Sequence, residues 1–555
     1  MRTQHFAIES PIRALALSSL ASLLFVAGCG SGSSTTTSPA PQTYSIGGTI
    51  SGLSNSGLVL EDDAGDNLTV AANANTFTFA TSLASGSTYK VTILTQPSTP
   101  AAQICSVTNA TGTIASAAVT SVQVACSTVS ATAQVNWTDV HQVIDGFGAS
   151  DAFLGPMSTA NQDFFFGTAT GQLGLSILRT DVPNNGDITG DCSTVNSGCA
   201  GPYVSDMQAA LANGAKIYSS PWSPPAAYTT NGLTTCTNNS GLDPADYGLY
   251  ATWLANYVLS LKQNDNITLD ALSLQNEPNE CTSYDSAVWN AQEIDTFVAG
   301  NLGPTLATNN LTTLLFVPEG SGYNQMSLGS TCGGDPSCNQ YVGGVNWHDY
   351  DANLSGTNTI AADPYPTYWP AGKKYWETEA SCGPGFGPNF CESGFNTDIT
   401  DALDWAAVID QRIAVDGANA WLYWWLIDSN STDDQGLMSS NGTVAQRAYV
   451  LGQYSRFVRP GYFRIDATHL PNANVSVSAY QNLPTNTLVI VATNYSSAEA
   501  ALTVNITNAP AFSTLTPYTT SATLGLAQQP SISISSNSFT YALPPNSITT
   551  FTGTP

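Results

Sequence analysis

Short runs of alternating apolar and polar residues occupy both ends of the chain. Between residues 43 and 127, turn clusters such as S-N-S-G and D-A-G-D-N separate them, and the alternation returns after residue 460. A period of two indicates strands with one buried face, and frequent turn residues between them are typical of a β-sandwich. We therefore predict a small all-β accessory domain over residues 43–128 and a β side domain over residues 458–555.

The middle of the chain has a different pattern, in which short apolar runs alternate with helix-like segments. Eight such runs occur between residues 144 and 457. Strands separated by helices predict parallel βαβ units, and eight units in about 310 residues match the period of a (β/α)8 TIM barrel. We predict this barrel over residues 145–457. The candidate strands begin at residues 143, 175, 216, 269, 313, 344, 373 and 420, and the clearest helices are Ala245–Gln263, Trp289–Leu302, Asp398–Val415 and Ala445–Val458.

The N-terminus has the pattern of an export signal. An apolar stretch over residues 14–28 follows two arginines and ends at Cys29. It is shorter than the roughly 20 residues of a membrane-spanning helix, and small residues precede the cut, as in secretory signals. The small pair before Cys29 resembles the bacterial lipobox, whose cysteine is lipidated. We predict a lipoprotein signal peptide over residues 1–28, lipidation at Cys29 and a Ser/Thr-rich tether over residues 29–42, with an ordinary signal peptide as the alternative.

Composition and charge narrow the class of partner. The chain has 555 residues, of which only 10% are charged, with 13 Lys and Arg against 40 Asp and Glu. A net charge of −27 repels phosphate, which argues against binding to nucleic acid or to an anionic membrane surface. A polar surface with few charges suits an exported protein that acts on neutral polymers. We expect a monomer that meets a membrane only through its anchor, at the cell surface, in the outer membrane or in the periplasm.

Cysteine usage agrees with an oxidising compartment. Without Cys29, ten cysteines remain, an even number, and they fall into five couples that are neighbours in sequence. A metal site is the competing interpretation, but the chain contains no C-x-x-C and its four histidines are scattered. We therefore predict no metal, no cofactor and five local disulfides. These are Cys105–Cys126, Cys192–Cys199, Cys236–Cys281, Cys332–Cys338 and Cys382–Cys391.

Two glutamates stand where candidate strands end. One strand delivers Asn276 and Glu277, and another delivers Glu377 and Glu379. The 102 residues between Glu277 and Glu379 correspond to three units of about 31 residues, which places them on strands four and seven. Two carboxyl groups across a barrel mouth are what cleavage of a glycosidic bond requires. Arg179, late in the second strand, is a candidate partner that keeps the nucleophilic carboxylate ionised.

Aromatic residues cluster at the same strand ends. Aromatic rings stack on the C–H faces of sugars, and neighbouring amides and hydroxyls bind sugar hydroxyl groups. Any one of these rings is as readily explained by core packing, but several on one rim favour a sugar site. The candidate sugar contacts are Trp222, His348, Tyr350, Trp424 and Trp425.

These motifs together resemble glycoside hydrolase family 30, and most closely its bacterial xylanase branch. The matching segments are I-D-G-F-G (144–148), S-I-L-R (176–179), S-P-W-S-P-P (220–225), Q-N-E-P (275–278), W-E-T-E (376–379), F-V-R-P-G-Y-F-R-I-D-A-T (457–468) and P-N-A-N-V-S-V-S-A-Y (471–480).

The resemblance spans roughly residues 131–555 and implies a retaining barrel enzyme fused to a β side domain. That side domain would also recruit a strand over residues 131–144. By motif position, Glu277 would be the general acid/base and Glu379 the nucleophile. The residues implied to line the subsite of the attacked sugar are Asn276, Trp222, Tyr350 and Trp425.

One segment departs from the family pattern. Glucuronoxylanases of this branch carry an Arg-rich stretch and a Tyr after the Trp pair of strand eight, whereas here the sequence is W-W-L-I-D-S-N-S-T-D-D-Q-G-L-M. Asp428, Asp433 and Asp434 stand in this segment without any Arg or Lys. An anionic side chain would lose a charged hydrogen bond of about 1.5–3 kcal/mol. We expect an endo-acting β-1,4-xylanase that does not depend on glucuronic acid.

Alternatives remain open at this stage. Glu377 is the rival nucleophile, because strand alternation places it on the same side as Glu379, although deeper. The same chemistry also fits a β-1,6-glucanase, a β-1,6-galactanase or an exo-acting enzyme. A non-enzymatic alternative is a surface glycan-binding lipoprotein. Serine hydrolases, zinc proteases and nucleotide enzymes are disfavoured, since the sequence lacks G-x-S-x-G, H-E-x-x-H and a phosphate-binding glycine loop.

Overall fold

The computed structural model of the chain describes residues 42–63, 65–97, 103–128, 130–185, 190–351, 360–382, 394–428 and 434–555. The predicted signal peptide, Cys29 and nearly all of the tether lie outside the described residues. Among the helices that the structure describes, none is long and apolar enough to span a membrane.

The N-terminal region is all-β. Two four-stranded sheets and one two-stranded sheet enclose a separate apolar core that includes Ile46, Leu60, Val91 and Val124. The alternation seen in the sequence recurs as alternating burial, for example along Thr76–Thr78. The strands are Thr43–Tyr44, Ile46–Ser51, Val59–Asp62, Asp66–Thr69, Thr76–Thr78, Leu83–Ala84, Thr88–Thr95, Gln103–Thr108, Thr111–Thr113 and Val119–Thr128.

The central region is a closed barrel of eight parallel strands, which confirms the predicted fold. Each strand pairs with the next, and the first also pairs with the eighth. Nearly every strand residue is buried, as expected when helices cover the outside and side chains fill the inside. Barrel strands 1 to 8 are Gly146–Ser150, Ile177–Asp181, Lys216–Ser220, Ala271–Ser273, Leu314–Gly320, Val342–His348, Lys374–Ala380 and Ala420–Ile427, and a short strand, Gly436–Met438, pairs with strand 8.

Helices cover the barrel and follow the predicted segments within a few residues. The described part of the link between strands 6 and 7, residues 360–373, contains no helix. The α-helices are Thr159–Phe166, Val204–Ala212, Tyr247–Asn264, Ala291–Phe297, Gly303–Thr308, Ser330–Gly334, Pro336–Asn339, Ile399–Asp410 and Gln446–Ser455. The 3-10 helices are Gly201–Tyr203, Ala226–Tyr228, Pro244–Asp246 and Tyr323–Gly329, and the π-helical turns are Val298–Leu302 and Gln411–Val415.

The C-terminal region is a β-sandwich with its own apolar core. Strand Ser130–Val143, which directly precedes the barrel, pairs in parallel with Ala500–Thr507 and antiparallel with Phe463–Ala467. This strand therefore ties the start of the barrel to the last domain. The remaining strands are Val475–Asn482, Thr487–Asn494, Thr514–Ser521, Leu524–Gln528, Ile532–Ser533, Ser538–Leu543 and Ser547–Gly553.

Four of the predicted cysteine couples form disulfides in the structure. They are Cys105–Cys126, Cys192–Cys199, Cys236–Cys281 and Cys332–Cys338. Cys382 is also disulfide-bonded, and its predicted partner Cys391 lies outside the described residues.

Candidate active site

Five charged or titratable side chains meet at the C-terminal edge of the barrel. Arg179 comes from strand 2, Glu319 from strand 5, His348 from the end of strand 6 and Glu379 from strand 7. Glu277 follows strand 4, whose ladder ends at Ser273 rather than extending to the glutamate as predicted. Side chains from several strand ends are the usual source of catalytic groups in such barrels.

The backbone at two of these glutamates is unusual. Glu277 has φ of 42° and Glu319 has φ of 63°, in the left-handed region that non-glycine residues rarely adopt. The Glu277 N–H donates to the Glu319 carbonyl at 3.0 Å, so the two turns hold each other. The turn conformation and the following Pro278 explain why the strand ends before Glu277. Such backbone conformations cluster at functional sites, where the surrounding structure fixes them.

Arg179 is completely buried and links three strands. Its Nη1 donates to Glu379 Oε2 at 2.5 Å, and its Nη2 donates to Asn276 Oδ1 at 2.7 Å. Nη2 also lies 3.2 Å from Glu319 Oε1. The guanidinium stacks 4.5 Å from the ring centroid of Trp222. One cation therefore positions two carboxylates, an amide and an aromatic ring at once.

His348 is buried among the carboxyl groups. Its Nδ1 lies 3.0 Å from Glu277 Oε1, and its Nε2 lies 3.5 Å from Glu319 Oε1 and 3.7 Å from Glu379 Oε2. The His348 side chain has no exposed surface. Its partners are thus the glutamates rather than the open face of the site, where a sugar would lie.

Glu277 and Glu379 are close enough to act on one bond. One oxygen of each, together with a ring nitrogen of His348, lie within 4.8 Å of one another. Carboxyl groups about 5–5.5 Å apart are typical of retaining glycosidases, whereas inverting enzymes separate them by about 6.5–9.5 Å to admit a water. The Tyr350 hydroxyl donates to Glu379 Oε1 at 2.7 Å, whereas Arg179 donates to Oε2.

The pKa values within this cluster follow from burial and charge. Burial raises the pKa of Glu319, but Arg179 and His348 outweigh it and hold the pKa at about 2. Burial lowers the pKa of the His348 imidazole, but Glu379, Glu277 and Glu319 outweigh it and raise the pKa to about 10. Burial and the charge of Glu277 raise the pKa of Glu379, against the opposing effects of His348 and Arg179. Glu319 is therefore ionised and His348 is an imidazolium at neutral pH.

Glu377, the rival nucleophile, has a different environment. Its Oε1 accepts from the Glu379 N–H at 2.9 Å, and its Oε2 accepts from the Leu422 N–H at 3.1 Å. It has no exposed surface, and burial raises its pKa well above the ordinary value. One of its oxygens thus bonds to the backbone of its own strand 7, and the other joins strand 7 to strand 8.

An aromatic wall stands beside the charged cluster. Trp222 packs edge-on against Phe153, with ring centroids 5.1 Å apart, and lies 5.6 Å from Trp424. Trp424 stacks on Trp425 at 5.1 Å, and Trp425 Nε1 donates to the Ala152 carbonyl at 2.9 Å. Trp425 is the more exposed member of this stacked pair.

The predicted site residues therefore come together at one end of the barrel, whereas one central residue was not predicted. Glu319 belongs to the candidate strand T-L-L-F-V-P-E-G, but no role was assigned to it. The sequence signal was available, because Glu319 is one of only ten glutamates and occupies a strand end like Glu277 and Glu379. Its partners Tyr218 and Ser220, each donating to it at 2.5 Å, carried no comparable signal.

Comparison with known proteins identifies the family. Residues 461–551 match the model of the glycosyl hydrolase family 30 beta sandwich domain. The chain is 31% identical over 430 residues to glucuronoxylanase XynC of Bacillus subtilis strain 168, covering 75% of this chain and 90% of that protein. The chain belongs to glycoside hydrolase family 30.

Solved structures agree with this assignment. The family 30 subfamily 8 xylanase Xyn30A of Clostridium acetobutylicum superposes with a TM-score of 0.65 at 30% identity, over 76% of this chain and 99% of that one. A family 30 endoxylanase of Clostridium papyrosolvens C71 gives a TM-score of 0.63 at 30% identity, over 76% and 100%. An endo-1,6-β-D-glucanase of Neurospora crassa is 28% identical, but over only 35% of this chain and 38% of that protein. This family 30 protein is an O-glycosyl hydrolase.

Proposed function

We propose that this enzyme is a retaining endo-1,4-β-xylanase in which Glu379 is the nucleophile and Glu277 the general acid/base. The observation that carries the mechanism is the short distance between these carboxyl groups, with oxygens within 4.8 Å of each other. The substrate class rests on the family 30 xylanases and glucuronoxylanase to which most of the chain is similar.

In the first step, Glu379 attacks the anomeric carbon while Glu277 gives its proton to the departing glycosidic oxygen. The bond to the leaving sugar breaks as the ester bond to Glu379 forms. Arg179 and Tyr350 hold the Glu379 carboxylate through Oε2 and Oε1 respectively. Fixing both oxygens orients the nucleophile before the substrate arrives.

In the second step, Glu277 takes a proton from a water molecule, which attacks the same carbon and releases the sugar from Glu379. The product keeps the original anomeric configuration because the carbon is inverted twice. His348, at 3.0 Å from Glu277 Oε1, stays on one face of this carboxyl group through both steps.

The charges of the site support the presence of one transferable proton. Three carboxyl groups, Glu277, Glu319 and Glu379, surround two cations, Arg179 and His348, in a region almost without solvent exposure. Ionising all three carboxyl groups would leave one uncompensated negative charge, which burial disfavours. Because Glu319 has a pKa of about 2, whereas burial raises the pKa of Glu379, Glu319 is not the group that carries this proton.

We further propose that glucuronic acid side chains are not required. In the described part of the chain, Arg179, Arg412 and Arg447 are buried in ion pairs, and the remaining Lys and Arg residues lie away from the site. Those others are Lys90 in the N-terminal β-domain, Lys216, Lys262, Lys373 and Lys374 at the opposite end of the barrel, and Arg456, Arg459 and Arg464 at the side domain.

The structure gives little support to repulsion of glucuronic acid by the acidic residues after strand 8. Asp428 is fully buried, and Asp434 is 2% exposed and paired with Arg447. Asp433 lies outside the described residues. Buried carboxylates that hold a loop do not repel a substrate strongly, so the proposal rests on the absence of a free cation rather than on like charge.

A panel of defined polysaccharides tests the proposal. We expect soluble fragments from β-1,4-xylan, a β-anomer as the first product by proton NMR, and similar rates on glucuronoxylan and on the same polymer after its carboxyl groups are reduced. Activity confined to β-1,6-glucan or β-1,6-galactan would show that xylan is not the substrate. Release of single sugars from chain ends would show that the enzyme is exo-acting rather than endo-acting. Binding without cleavage would favour the glycan-binding alternative.

We also propose export as a lipoprotein anchored through Cys29. The N-terminal motif alone supports this proposal. Incorporation of a labelled fatty acid into the full-length chain, abolished by Cys29→Ser, is the expected result. Release of an unmodified mature chain would favour the ordinary signal peptide.

A further inference from the structure

A single aromatic side chain on the rim of the site is not accounted for by the mechanism. Ten large apolar or aromatic side chains are exposed among the residues the structure describes, and nine of them are aliphatic. The tenth is Tyr284, which is 47% exposed and lies seven residues after Glu277. An exposed ring beside a sugar site differs from an exposed aliphatic residue, because it offers a flat face to a sugar ring.

The loop that carries Tyr284 is fixed at both ends by the neighbouring loop. The Cys236–Cys281 disulfide joins them covalently. Residues 235 and 285 form a β-bridge, the Ser286 N–H donates to the carbonyl of residue 234 at 3.0 Å, and the Cys236 N–H donates to the Thr282 carbonyl at 3.2 Å. The backbone around Tyr284 is therefore held in place without substrate.

The two residues that follow Tyr284 face inwards. Asp285 is 2% exposed, and its Oδ2 accepts from Asn184 Nδ2 at 3.0 Å, while Ser286 is 6% exposed. The Thr282 hydroxyl donates to the Tyr284 carbonyl at 3.2 Å. The exposed side chains of this loop are thus Cys281, Ser283 and Tyr284, and Tyr284 is the aromatic one among them.

Tyr284 also lies within electrostatic reach of the catalytic pair. Burial raises the pKa of its phenol, and the charges of Glu277 and then Glu379 raise that pKa further. The Glu280 N–H donates to the Glu277 carbonyl at 2.9 Å, and the Trp289 N–H donates to the Pro278 carbonyl at 2.8 Å, so the loop that carries Tyr284 begins and ends beside Glu277. This geometry places the loop on the Glu277 side of the site. Glu277 is the group we assign to protonating the leaving sugar.

We propose that Tyr284 is a substrate-binding residue that stacks on a xylose unit of the leaving-group side of the polymer. This inference rests on the proposed function, because the leaving-group side is defined by Glu277 acting as the acid. A ring held in place beforehand costs little ordering entropy on binding. The interaction should contribute to binding of the polymer and not to the bond-breaking step.

Two substrates separate this role from others. Xylan places sugar units on both sides of the cleaved bond, whereas an aryl β-xylobioside has no sugar on the leaving-group side. For Tyr284→Ala we expect KM on xylan to rise about three- to ten-fold with kcat changed less than about two-fold, and unchanged kinetics on the aryl xylobioside. Tyr284→Phe retains the ring and should behave like the wild type.

Leu483→Ala is the matched control, since it removes a 49% exposed apolar side chain from the side domain. If Tyr284→Ala lowers activity equally on xylan and on the aryl xylobioside, the proposal is wrong. It is also wrong if the kinetics on both substrates stay unchanged. A wild-type enzyme inactive on xylan would instead reject the proposed function, and the same variants would then be compared on the polymer that the panel identifies and on its aryl disaccharide.

Discussion

The two ends of the barrel both carry ion pairs, but the pairs differ in burial and in charge balance. At the N-terminal end, Asp145 Oδ1 accepts from Lys216 at 3.2 Å and from Lys374 at 2.9 Å, and about a third of each lysine side chain is exposed. At the C-terminal end, three carboxyl groups surround two cations, and the most exposed of these side chains, Glu277, is 11% exposed.

This difference explains which end can perform chemistry. Water stabilises the extra positive charge near Asp145, so that these ion pairs contribute little beyond local order. The extra negative charge at the other end has almost no water to stabilise it, and a proton must compensate for it. In the mechanism we propose, this buried excess of carboxyl groups over cations provides the proton for acid/base catalysis.

The largest expected effect comes from removing the proposed nucleophile, Glu379. Glu379→Ala should lower kcat by about 10⁴-fold or more, because no other carboxylate occupies its position. Added azide should restore activity by attacking the anomeric carbon from the vacated side, giving a glycosyl azide of inverted configuration. The comparison variant is Glu377→Ala, which should lose stability because two backbone N–H groups lose their partner, but which should not respond to azide. Azide rescue of the Glu377 variant alone would reverse the assignment.

Next in size is the loss of the buried cation. Arg179→Met leaves Glu319 and Glu379 without their shared guanidinium, and we expect the free energy of unfolding to fall by about 3–5 kcal/mol, measured by urea denaturation. Arg179→Lys retains the positive charge but not the planar guanidinium, so its free energy of unfolding should lie between those of Arg179→Met and the wild type. If Arg179→Met unfolds at the same urea concentration as the wild type, Arg179 does not compensate the charges of Glu319 and Glu379.

A smaller effect is expected from Glu319→Gln, which removes one of the three negative charges around His348. The raised pKa of the His348 imidazole means that its protonation stabilises the fold below about pH 6.5, and that this stability is lost as the pH rises through about 10. The variant should lower the His348 pKa by roughly one to two units and shift the alkaline limit of activity to lower pH.

NMR titration of the imidazole measures this shift directly. His469, whose partner is Asp410 rather than Glu319, is the internal control and should titrate unchanged. A wild-type His348 that titrates near pH 6.5 would contradict the charge arrangement.

The smallest effect is expected at the other end of the barrel. Lys216→Ala and Lys374→Ala each remove one partly exposed partner of Asp145, and we expect at most about 1 kcal/mol of lost stability and unchanged kcat. Thermal unfolding and steady-state kinetics check both values. A loss of stability as large as that of Arg179→Met would show that the ion pairs at the two ends of the barrel do not differ in strength.

Much of the fold and part of the site could be predicted from the sequence. The eight barrel strands were recognisable because residues buried on both faces form continuous apolar runs, and Glu277 and Glu379 stood near the C-terminal ends of two of these runs. The disulfides could be proposed because each couple is local in sequence. These features depend on short-range order along the chain.

Features that depend on three-dimensional environment were not predictable. Glu319 and Glu377 follow the same sequence pattern as Glu379, and only their partners distinguish a cation-bound carboxylate from one that holds backbone N–H groups. His348 was taken as a sugar contact, whereas its ring lies fully buried between carboxyl groups from three other strands. The burial of His348 and the backbone contacts of Glu377 leave no trace in the local sequence.

The most direct test of the central claim is covalent trapping of the intermediate. A 2-deoxy-2-fluoro xylobioside with a good leaving group should inactivate the enzyme, because the fluorine slows the second step more than the first. Peptide mapping by mass spectrometry should find one xylobiosyl ester, on Glu379. A label on Glu377, Glu319 or Glu277 would contradict the account.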